Sequence, residues 1–224
     1  MKIAIDGPSG AGKSTISKLL ANKLGFIYID TGAMYRAIGL NALSCGFDTK
    51  NDIDKIIQML EDVEIKISCG VQRQEVFLND KNVTDDIRTP EVSIAASNVA
   101  VIPEVRIKLV ELQRKLAEGN DVIMDGRDIG SYVLPDAEIK IFLTASAESR
   151  AKRRYDELIE KGIETTYEEV LSDVNKRDKN DSEREFSPLT IADGATVIDT
   201  TFNNLPESIE IIEKFILQEM KKIC

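Results

Sequence analysis

Residues 7 to 14 of the 224-residue chain read Gly7-Pro8-Ser9-Gly10-Ala11-Gly12-Lys13-Ser14. This is the spacing G-x-x-x-x-G-K-[ST] of the phosphate-binding P-loop. Gly7 and Gly12 allow a tight turn whose backbone N–H groups can approach phosphate oxygens closely. Lys13 supplies a point charge for the β- and γ-phosphates, and the Ser14 hydroxyl can ligate Mg²⁺. The stretch therefore predicts a loop that binds a nucleoside triphosphate.

The residues on either side of this stretch have the pattern that a P-loop requires. Residues 2–6 predict a short apolar strand directly before the loop. After the loop, apolar side chains recur at helical spacing, at Ile16, Leu19, Leu20 and Leu24, and Gly25 marks the end of the helix. The helix dipole adds an attraction for anions, so a glycine turn that binds nothing is the weaker hypothesis.

The composition excludes several kinds of chemistry. The sequence contains no histidine, which excludes histidine-based nucleophilic relays and histidine metal sites. Phosphoryl transfer remains possible because it depends on positioning and charge stabilisation more than on a strong base. The formal net charge of −10 argues against binding to a nucleic-acid polymer. No apolar run reaches the length of about 18 residues that a membrane span needs.

Cysteine usage indicates a cytoplasmic protein. Cys45, Cys69 and Cys224 are scattered and form no C-x-x-C pair, which favours a reduced protein without zinc. The predicted first strand begins at residue 2, so we expect no signal peptide.

The predicted elements alternate between strand and helix along most of the chain. Apolar stretches predict parallel strands over residues 2–6, 26–29, 122–125, 139–143 and 197–199. Helices are predicted over residues 16–24, 32–45, 53–60, 90–101, 103–117, 147–184 and 209–216. Alternating stretches at 63–67, 75–78 and 81–84 predict an antiparallel insertion. The sequence therefore predicts an α/β fold with about five parallel strands in a doubly wound sheet.

Ligands of such a sheet bind at the carboxyl ends of its strands, and four predicted strands lead into polar residues there. Asp6 leads into the P-loop, Asp30 ends the second strand, and Asp125 ends the third. The fourth strand ends at Leu143, ahead of a group of arginines that begins at Arg150. An acidic protein that handles anions must concentrate its basic residues locally, which makes these arginines candidates for the site.

Several motifs, taken together and in order, resemble those of the nucleoside-monophosphate kinases, and within them the bacterial-type cytidylate kinases. The resemblance covers nearly the whole chain. It rests on residues 6–13, on Thr31-Gly32-Ala33-Met34-Tyr35-Arg36, on 87–89 through 95–97, on Asp125-Gly126-Arg127-Asp128-Ile129-Gly130, and on Arg177-Asp178 with Asp181 and Arg184. Two departures are small: Thr31 stands where many members have serine, and Ser14 where some have glycine.

The resemblance implies a P-loop nucleoside-monophosphate kinase fold and transfer of the γ-phosphoryl group of ATP to CMP and dCMP, with Mg²⁺. It implies a single kinase domain over residues 1–224, an inserted monophosphate-binding subdomain over 62–100 and a helical lid over 147–184. The partners would be small nucleotides, with neither a nucleic-acid polymer nor a membrane, and we expect a monomer.

The resemblance also implies roles for individual residues. ATP would be held by Gly7, Pro8, Ser9, Gly10, Ala11, Gly12, Lys13, Ser14 and Thr15, and by Arg150, Arg153 and Arg154 of the lid. CMP would be held at its phosphate by Thr31, Tyr35, Arg36 and Arg127, at its cytosine by Ser97, Arg106 and Asp128, and at its ribose by Arg177 and Asp181, with Arg184 bridging toward the phosphates. Lys13, Asp125, Arg127 and Arg184 would lie nearest to the chemistry. Ser14 would ligate Mg²⁺ directly and Asp125 through water.

Without the resemblance, several of these residues have plainer explanations. Arg36 could be a solvated helix arginine, Arg127 a strand-end ion pair, and Arg177 part of a surface charge network. Residues 175–178 fit N-K-x-D, the guanine-reading string of GTPases, but they lie in a predicted charged helix. A P-loop kinase of another acceptor, either a broader range of pyrimidine monophosphates or a small metabolite, and an ATP-dependent regulator that is not a kinase are the remaining alternatives.

Overall fold

In the computed structural model, which describes residues 1–69 and 74–223, five parallel strands form the central sheet. They are β1 (Lys2–Asp6), β2 (Ile27–Asp30), β6 (Val122–Gly126), β7 (Ile139–Thr144) and β8 (Thr196–Asp199). Their order across the sheet is β2-β6-β1-β7-β8, and all neighbouring pairs run parallel. The predicted sheet is confirmed, with every strand boundary within one residue of its expected place.

Helices cover both faces of this sheet. They are α1 (Lys13–Leu24), α2 (Thr31–Ser44), α4 (Pro90–Val99), α5 (Pro103–Ala117) and α8 (Leu205–Ile223). The side chains of Ile3 and Ile5 pack with α1 and α8, whereas Ala4 between them packs with α2, α4 and α5. Because successive strand side chains point to opposite faces and both faces are covered, β1 is apolar along its length.

The P-loop lies where the direction of winding reverses. From β1 the chain moves to one side to form β2 and β6, and it then crosses to the other side to form β7 and β8. The carboxyl end of β1 therefore opens into a crevice between β6 and β7, which is the ligand position of doubly wound sheets. At the same edge Asp30 is the register partner of Asp125, so two carboxylates end adjacent strands.

Close packing against a neighbouring strand requires the first glycine of the loop. Gly7 has φ +146, and a Cβ at this position would lie 1.9 Å from the carbonyl oxygen of Leu143. A side chain here would have to push β7 away from β1. The helix predicted after the loop is present as α1, and within it Leu19 is 45% exposed because the buried face passes through Ile16 and Leu20.

The predicted antiparallel insertion is present. It consists of β3 (Ile65–Cys69), β4 (Gln74–Leu78) and β5 (Lys81–Asn82), in the order β3-β4-β5, and it follows α3 (Ile53–Met59). The two residues of the β4–β5 turn, Asn79 and Asp80, have φ of 47 and 64, as a tight hairpin turn requires. β5 is shorter than predicted, because the Thr84 hydroxyl accepts the Val76 N–H at 2.9 Å in place of a backbone partner.

One side chain joins the insertion to the central sheet. The Gln74 amide accepts the Asp30 N–H at 2.8 Å and donates to the Asp30 carbonyl at 3.2 Å. This pairing imitates a neighbouring strand at the exposed edge of β2. The insertion also shares the apolar core on this side of the sheet, where Val76 and Leu78 pack in one cluster with Met34.

The charged stretch 147–184 forms two helices rather than one. They are α6 (Ala147–Glu160) and α7 (Tyr167–Glu183), and they pack around a small apolar core of their own that contains Ala151, Leu158, Val170 and Val174. Thr166 and Glu169 form a reciprocal capping box that starts α7. Residues 175–178 lie inside α7, so the N-K-x-D string does not follow a sheet strand.

Three further observations concern sequence-based expectations. α4 ends at Val99, two residues before its predicted end. Cys45 is a free, exposed cysteine, and Cys224 lies outside the described residues. Within the described ranges, no helix has the length and apolar character needed to cross a membrane.

Candidate active site

Lys13 is enclosed by the loop that precedes it. Its ammonium donates to the Pro8 carbonyl at 2.7 Å, and the residue is 5% exposed. Burial and the nearby Arg127 guanidinium lower the pKa of Lys13 well below its usual value. A buried ammonium beside a second cation gains most from an anion placed between them. The loop thus holds the Lys13 ammonium where it could bind a phosphate group.

The Asp125 carboxylate is fixed by two hydroxyl groups. Ser14 donates to its Oδ2 at 2.8 Å, and Tyr28 donates to its Oδ1 at 2.9 Å. Burial and the neighbouring Asp30 carboxylate raise the pKa of Asp125 to about 6. Because the Ser14 hydroxyl gives its hydrogen to Asp125, its oxygen lone pairs point elsewhere. The hydroxyl and carboxylate oxygens form a hard donor set of the kind that Mg²⁺ prefers.

Three arginines extend the positive charge of Lys13 across the strand ends. The Arg127 Nε donates to Asp181 at 2.7 Å, whereas Nε of Arg36 and Nε of Arg177 are buried without an acceptor among the described residues. Burial and the nearby Arg127 lower the pKa of Arg177 to about 10, and Arg36 contributes to the same effect. The like charges therefore lie close enough to repel one another, which is the arrangement expected of an anion site.

At the end of β2, the Asp30 carboxylate contacts two arginines. Its Oδ2 lies 2.8 Å from Arg36 and 3.3 Å from Arg88, while its other oxygen accepts the Ala33 N–H and caps α2. Although burial opposes the change, the two guanidinium groups hold the pKa of Asp30 below its ordinary value. One carboxylate thus orients two arginines, one on α2 and one at the base of the insertion.

Two of the residues expected to contact cytosine, Arg106 and Asp128, meet beside α5. Arg106 is 1% exposed and forms an ion pair with Asp128. Its guanidinium lies between two aromatic rings, 5.6 Å from the centre of Tyr35 and 6.0 Å from that of Phe186. Burial raises the pKa of the Tyr35 hydroxyl to about 12. The Ser97 hydroxyl is buried and has no hydrogen-bond partner in the described part of the chain.

The arginines of the predicted lid have partners within the chain, and two of the three pair with carboxylates. Arg150 makes a two-pronged ion pair with Asp178 of α7, at 2.9 and 2.6 Å, and it also donates to the Ser9 carbonyl of the P-loop. Arg153 donates to the Thr200 carbonyl after β8, and Arg154 pairs with Glu157 on its own helix. Of the three, the structure brings Arg150 to the P-loop, and the ATP contacts of the other two stay predictions.

The chain is similar in sequence to known proteins over nearly its whole length. The sequence profile of the cytidylate kinase family matches residues 3–221. The chain is 55% identical to a cytidylate kinase of Caldicellulosiruptor saccharolyticus over 216 residues, which is 96% of this chain and 95% of the relative. It is 51% identical to a cytidylate kinase of Caldanaerobacter subterraneus subsp. tengcongensis over 221 residues, which is 99% and 96% of the two chains.

The chain belongs to the cytidylate kinase family. Among solved structures, it is similar to a shikimate kinase from Bacteroides thetaiotaomicron, with a TM-score of 0.50, 11% identity, and coverage of 99% of this chain and 98% of that one. At this identity the likeness concerns the fold alone. The resemblance inferred from the motifs is therefore confirmed at the level of the family, and the kinase fold at the level of the structure.

Four residues of the site escaped the sequence reasoning. They are Tyr28 and Arg88, which contact Asp125 and Asp30, and Asp178 and Ser187, which contact Arg150 and Asp128. Arg88 and Asp178 stood within quoted motifs and could have been found there, whereas nothing in the pattern marks Tyr28 or Ser187.

Proposed function

We propose that the protein transfers the γ-phosphoryl group of ATP to the phosphate of CMP and dCMP, giving ADP and CDP or dCDP. The observation that carries this proposal is the group of cations at the carboxyl ends of the strands. Lys13, Arg36, Arg127 and Arg177 converge there. Nε of Arg36 and Nε of Arg177 are buried donors that lack an acceptor in the described structure. Two negatively charged nucleotides would neutralise this repulsion and accept those hydrogen bonds.

The reaction needs positioning more than acid–base chemistry. The P-loop and Lys13 would bind the β- and γ-phosphates, and Arg36 and Arg127, with Thr31 and Tyr35, would hold the acceptor phosphate. Arg177 and Asp181 would bind the ribose, and Arg184 would bridge toward the phosphates. The attacking oxygen belongs to a phosphate that is largely ionised at neutral pH. A chain without histidine can therefore perform this in-line transfer.

A Mg²⁺ ion fits the oxygen groups beside the P-loop. Ser14 would ligate it directly, because the hydrogen of its hydroxyl is already donated to Asp125. Asp125 would hold the ion through water and is kept in place by Tyr28. When bound, Mg²⁺ neutralises charge on the β- and γ-phosphate oxygens.

Cytosine selection would depend on Asp128, supported by Arg106 and Ser97. Cytosine presents an exocyclic amine, which is a donor, where uracil presents a carbonyl oxygen. The carboxylate can accept a hydrogen bond from the cytosine amine, whereas it would repel the carbonyl oxygen of uracil because both groups are acceptors. The buried, unpartnered Ser97 hydroxyl adds a polar group that a base edge could satisfy.

We further propose a monomeric, cytoplasmic enzyme. The exposed free thiol of Cys45 suits a reducing compartment. Residues 147–184 would act as the lid and residues 62–100 as the acceptor-binding subdomain of the single domain.

A panel of acceptors tests the function. ADP formation from ATP and Mg²⁺ is measured with CMP, dCMP, UMP, AMP, GMP and shikimate, and with no acceptor. We expect rapid turnover with CMP and dCMP and at least tenfold lower kcat/KM with UMP, since a hydrogen bond to a charged group contributes about 1.5–3 kcal/mol. Equal use of UMP would indicate a broad pyrimidine monophosphate kinase. A slow ATPase that no acceptor accelerates would indicate a regulator.

A further inference from the structure

The segment after α7 brings a serine to Asp128, the carboxylate proposed above to select the base. The Ser187 hydroxyl donates to Oδ2 of Asp128 at 2.6 Å. Its carbonyl accepts from Nε of Arg184, also at 2.6 Å. A single residue thus holds both Asp128 and the arginine beside it.

Ser187 holds this position in a backbone conformation that favours glycine. Its φ is 52, in the left-handed region that non-glycine residues rarely adopt. The segment is tied back to the end of α7 by the Leu189 N–H, which donates to the Asp181 carbonyl at 2.7 Å. Outliers of this kind persist where the surroundings over-determine them and often mark functional positions. A glycine would avoid the strain but would lose the hydroxyl.

The donors around Asp128 are distributed unevenly between its two oxygens. Arg106 and Ser187 both donate to Oδ2, and together they use the acceptor capacity of that oxygen. Oδ1 lies 3.4 Å from Nη2 of Arg184, a nitrogen that makes no hydrogen bond within the described residues. Oδ1 is therefore the oxygen with capacity to accept a hydrogen bond from a ligand.

We propose that Ser187 is a positioning residue for base selection, which fixes the orientation of the Asp128 carboxylate so that Oδ1 accepts from the exocyclic amine of cytosine. This inference rests on the proposed function. With Ser187 and Arg106 both on Oδ2, rotation of the carboxylate breaks two hydrogen bonds. The carboxylate therefore cannot turn away cheaply from the carbonyl oxygen of UMP, and discrimination against UMP is strengthened.

Two substitutions separate the hydroxyl from the backbone. Ser187→Ala removes the hydroxyl and keeps the strained Cβ, whereas Ser187→Gly removes both. We expect each to lower the ratio of kcat/KM for CMP to that for UMP by about three- to tenfold, the contribution of one hydrogen bond. The change should appear mainly as a higher KM for CMP, since Ser187 does not touch the phosphates. The glycine variant should melt at a higher temperature than the alanine variant.

The matched control is Ser182→Ala, which removes an exposed hydroxyl that bonds only carbonyls of α7. It should keep the wild-type ratio. If both Ser187 variants fold and also keep that ratio, the inference is wrong while the proposed function stands. An effect of the alanine variant alone would assign the role to the backbone and would equally overturn it. If the wild type itself uses UMP as well as CMP, the cytosine assignment fails, and this inference fails with it.

Discussion

At the scale of single residues, the buried charges of the site fall into two groups. Asp128 and Arg150 have partners on several sides, so their positions are fixed by the fold. Arg36 and Arg177 each keep a buried Nε without an acceptor in the described structure. The first group can select and orient a ligand, and the second gains hydrogen bonds when an anion arrives.

Replacement of Lys13 tests the P-loop directly. Lys13→Ala should lower kcat at least 10²-fold, since such a charge contact contributes about 3–4 kcal/mol to the barrier. The fold should survive, because the ammonium has one hydrogen-bond partner among the described residues, the Pro8 carbonyl. Lys23→Ala on the exposed face of the same helix is the control and should keep wild-type turnover. A folded Lys13→Ala enzyme with wild-type kcat would remove the P-loop from the mechanism.

Replacement of Asp128 tests base reading. Asp128→Asn should lower kcat/KM for CMP. The ratio of this kcat/KM to that for UMP should fall as well, because the amide can rotate and donate to the carbonyl oxygen of uracil. The substitution should also reduce the free energy of unfolding by about 3 kcal/mol, since Arg106 and Arg184 lose a buried anionic partner. Steady-state kinetics and urea denaturation measure the two effects. Asp136→Asn, at an exposed position, should change neither, and an unaltered CMP-to-UMP ratio in Asp128→Asn would exclude Asp128 from base reading.

Asp6 gives a pH dependence of stability. Burial raises its pKa from 3.8 to about 6, although the N–H groups of Ile129 and Gly130 oppose the change. Between these values the folded chain binds a proton at Asp6 that the unfolded chain has lost. The free energy of unfolding should therefore fall by about 3 kcal/mol in all as the pH rises from well below 4 to well above 6, with about 2 kcal/mol of the fall between pH 4 and 6. Denaturation of wild type and Asp6→Asn across this range isolates the effect, and a constant difference between the two would contradict it.

At the scale of elements, the antiparallel insertion and the α6–α7 pair are attached to the rest of the protein in different ways. The insertion shares an apolar cluster with α2, in which Val76 packs with Met34, and Gln74 fastens it to β2. The α6–α7 pair has a separate small core. Arg150 of α6 pairs with Asp178 of α7, and the same arginine links the pair to the P-loop. We therefore expect the lid to move more than the insertion when ligands bind.

Limited proteolysis tests the motion of the lid. Lys161, in the exposed turn between α6 and α7, is a trypsin site. Cleavage there should slow several-fold when ATP and CMP are added together, because the bound phosphates draw Arg150 and Arg177 inward and suppress local opening. Each nucleotide alone should protect less. Equal cleavage rates with and without both nucleotides would indicate a fixed lid.

At the scale of the whole molecule, the protein is acidic, with a net charge of −10. A group of its basic residues nevertheless lies in the cleft at the carboxyl ends of the strands. The insertion and the core also enclose a cavity of about 200 Å³, lined by Lys18, Tyr28, Asp30, Gln74, Thr84, Asp85 and Arg88. We expect the α6–α7 pair to close over the cleft when nucleotides bind.

Sedimentation and X-ray scattering test this description. We expect the mass of one chain at micromolar concentration, because like-charged surfaces repel. The radius of gyration should fall when the unreactive pair ADP and CMP is added, as the lid closes over the cleft. A dimer would contradict the proposal of a monomer. A radius of gyration that the two nucleotides leave unchanged would contradict closure of the lid.

The sequence by itself determined the P-loop, the five parallel strands and the family. The P-loop and the strands follow from local properties: apolar periodicity and glycine positions act over a few residues, so the boundaries of the five parallel strands agree to within one residue. The spacing of Arg177 and Asp181 on one helix could be predicted for the same reason.

Only the tertiary structure decided which charged and polar groups meet. The pairs Tyr28–Asp125, Arg88–Asp30 and Ser187–Asp128 are separated by 97, 58 and 59 residues, and no local pattern connects their members. Their contacts arise because parallel strands end at one edge and because α7 folds back over it. The exposed side of Leu19 was decided in the same way, since the orientation of α1 on the sheet depends on its neighbours.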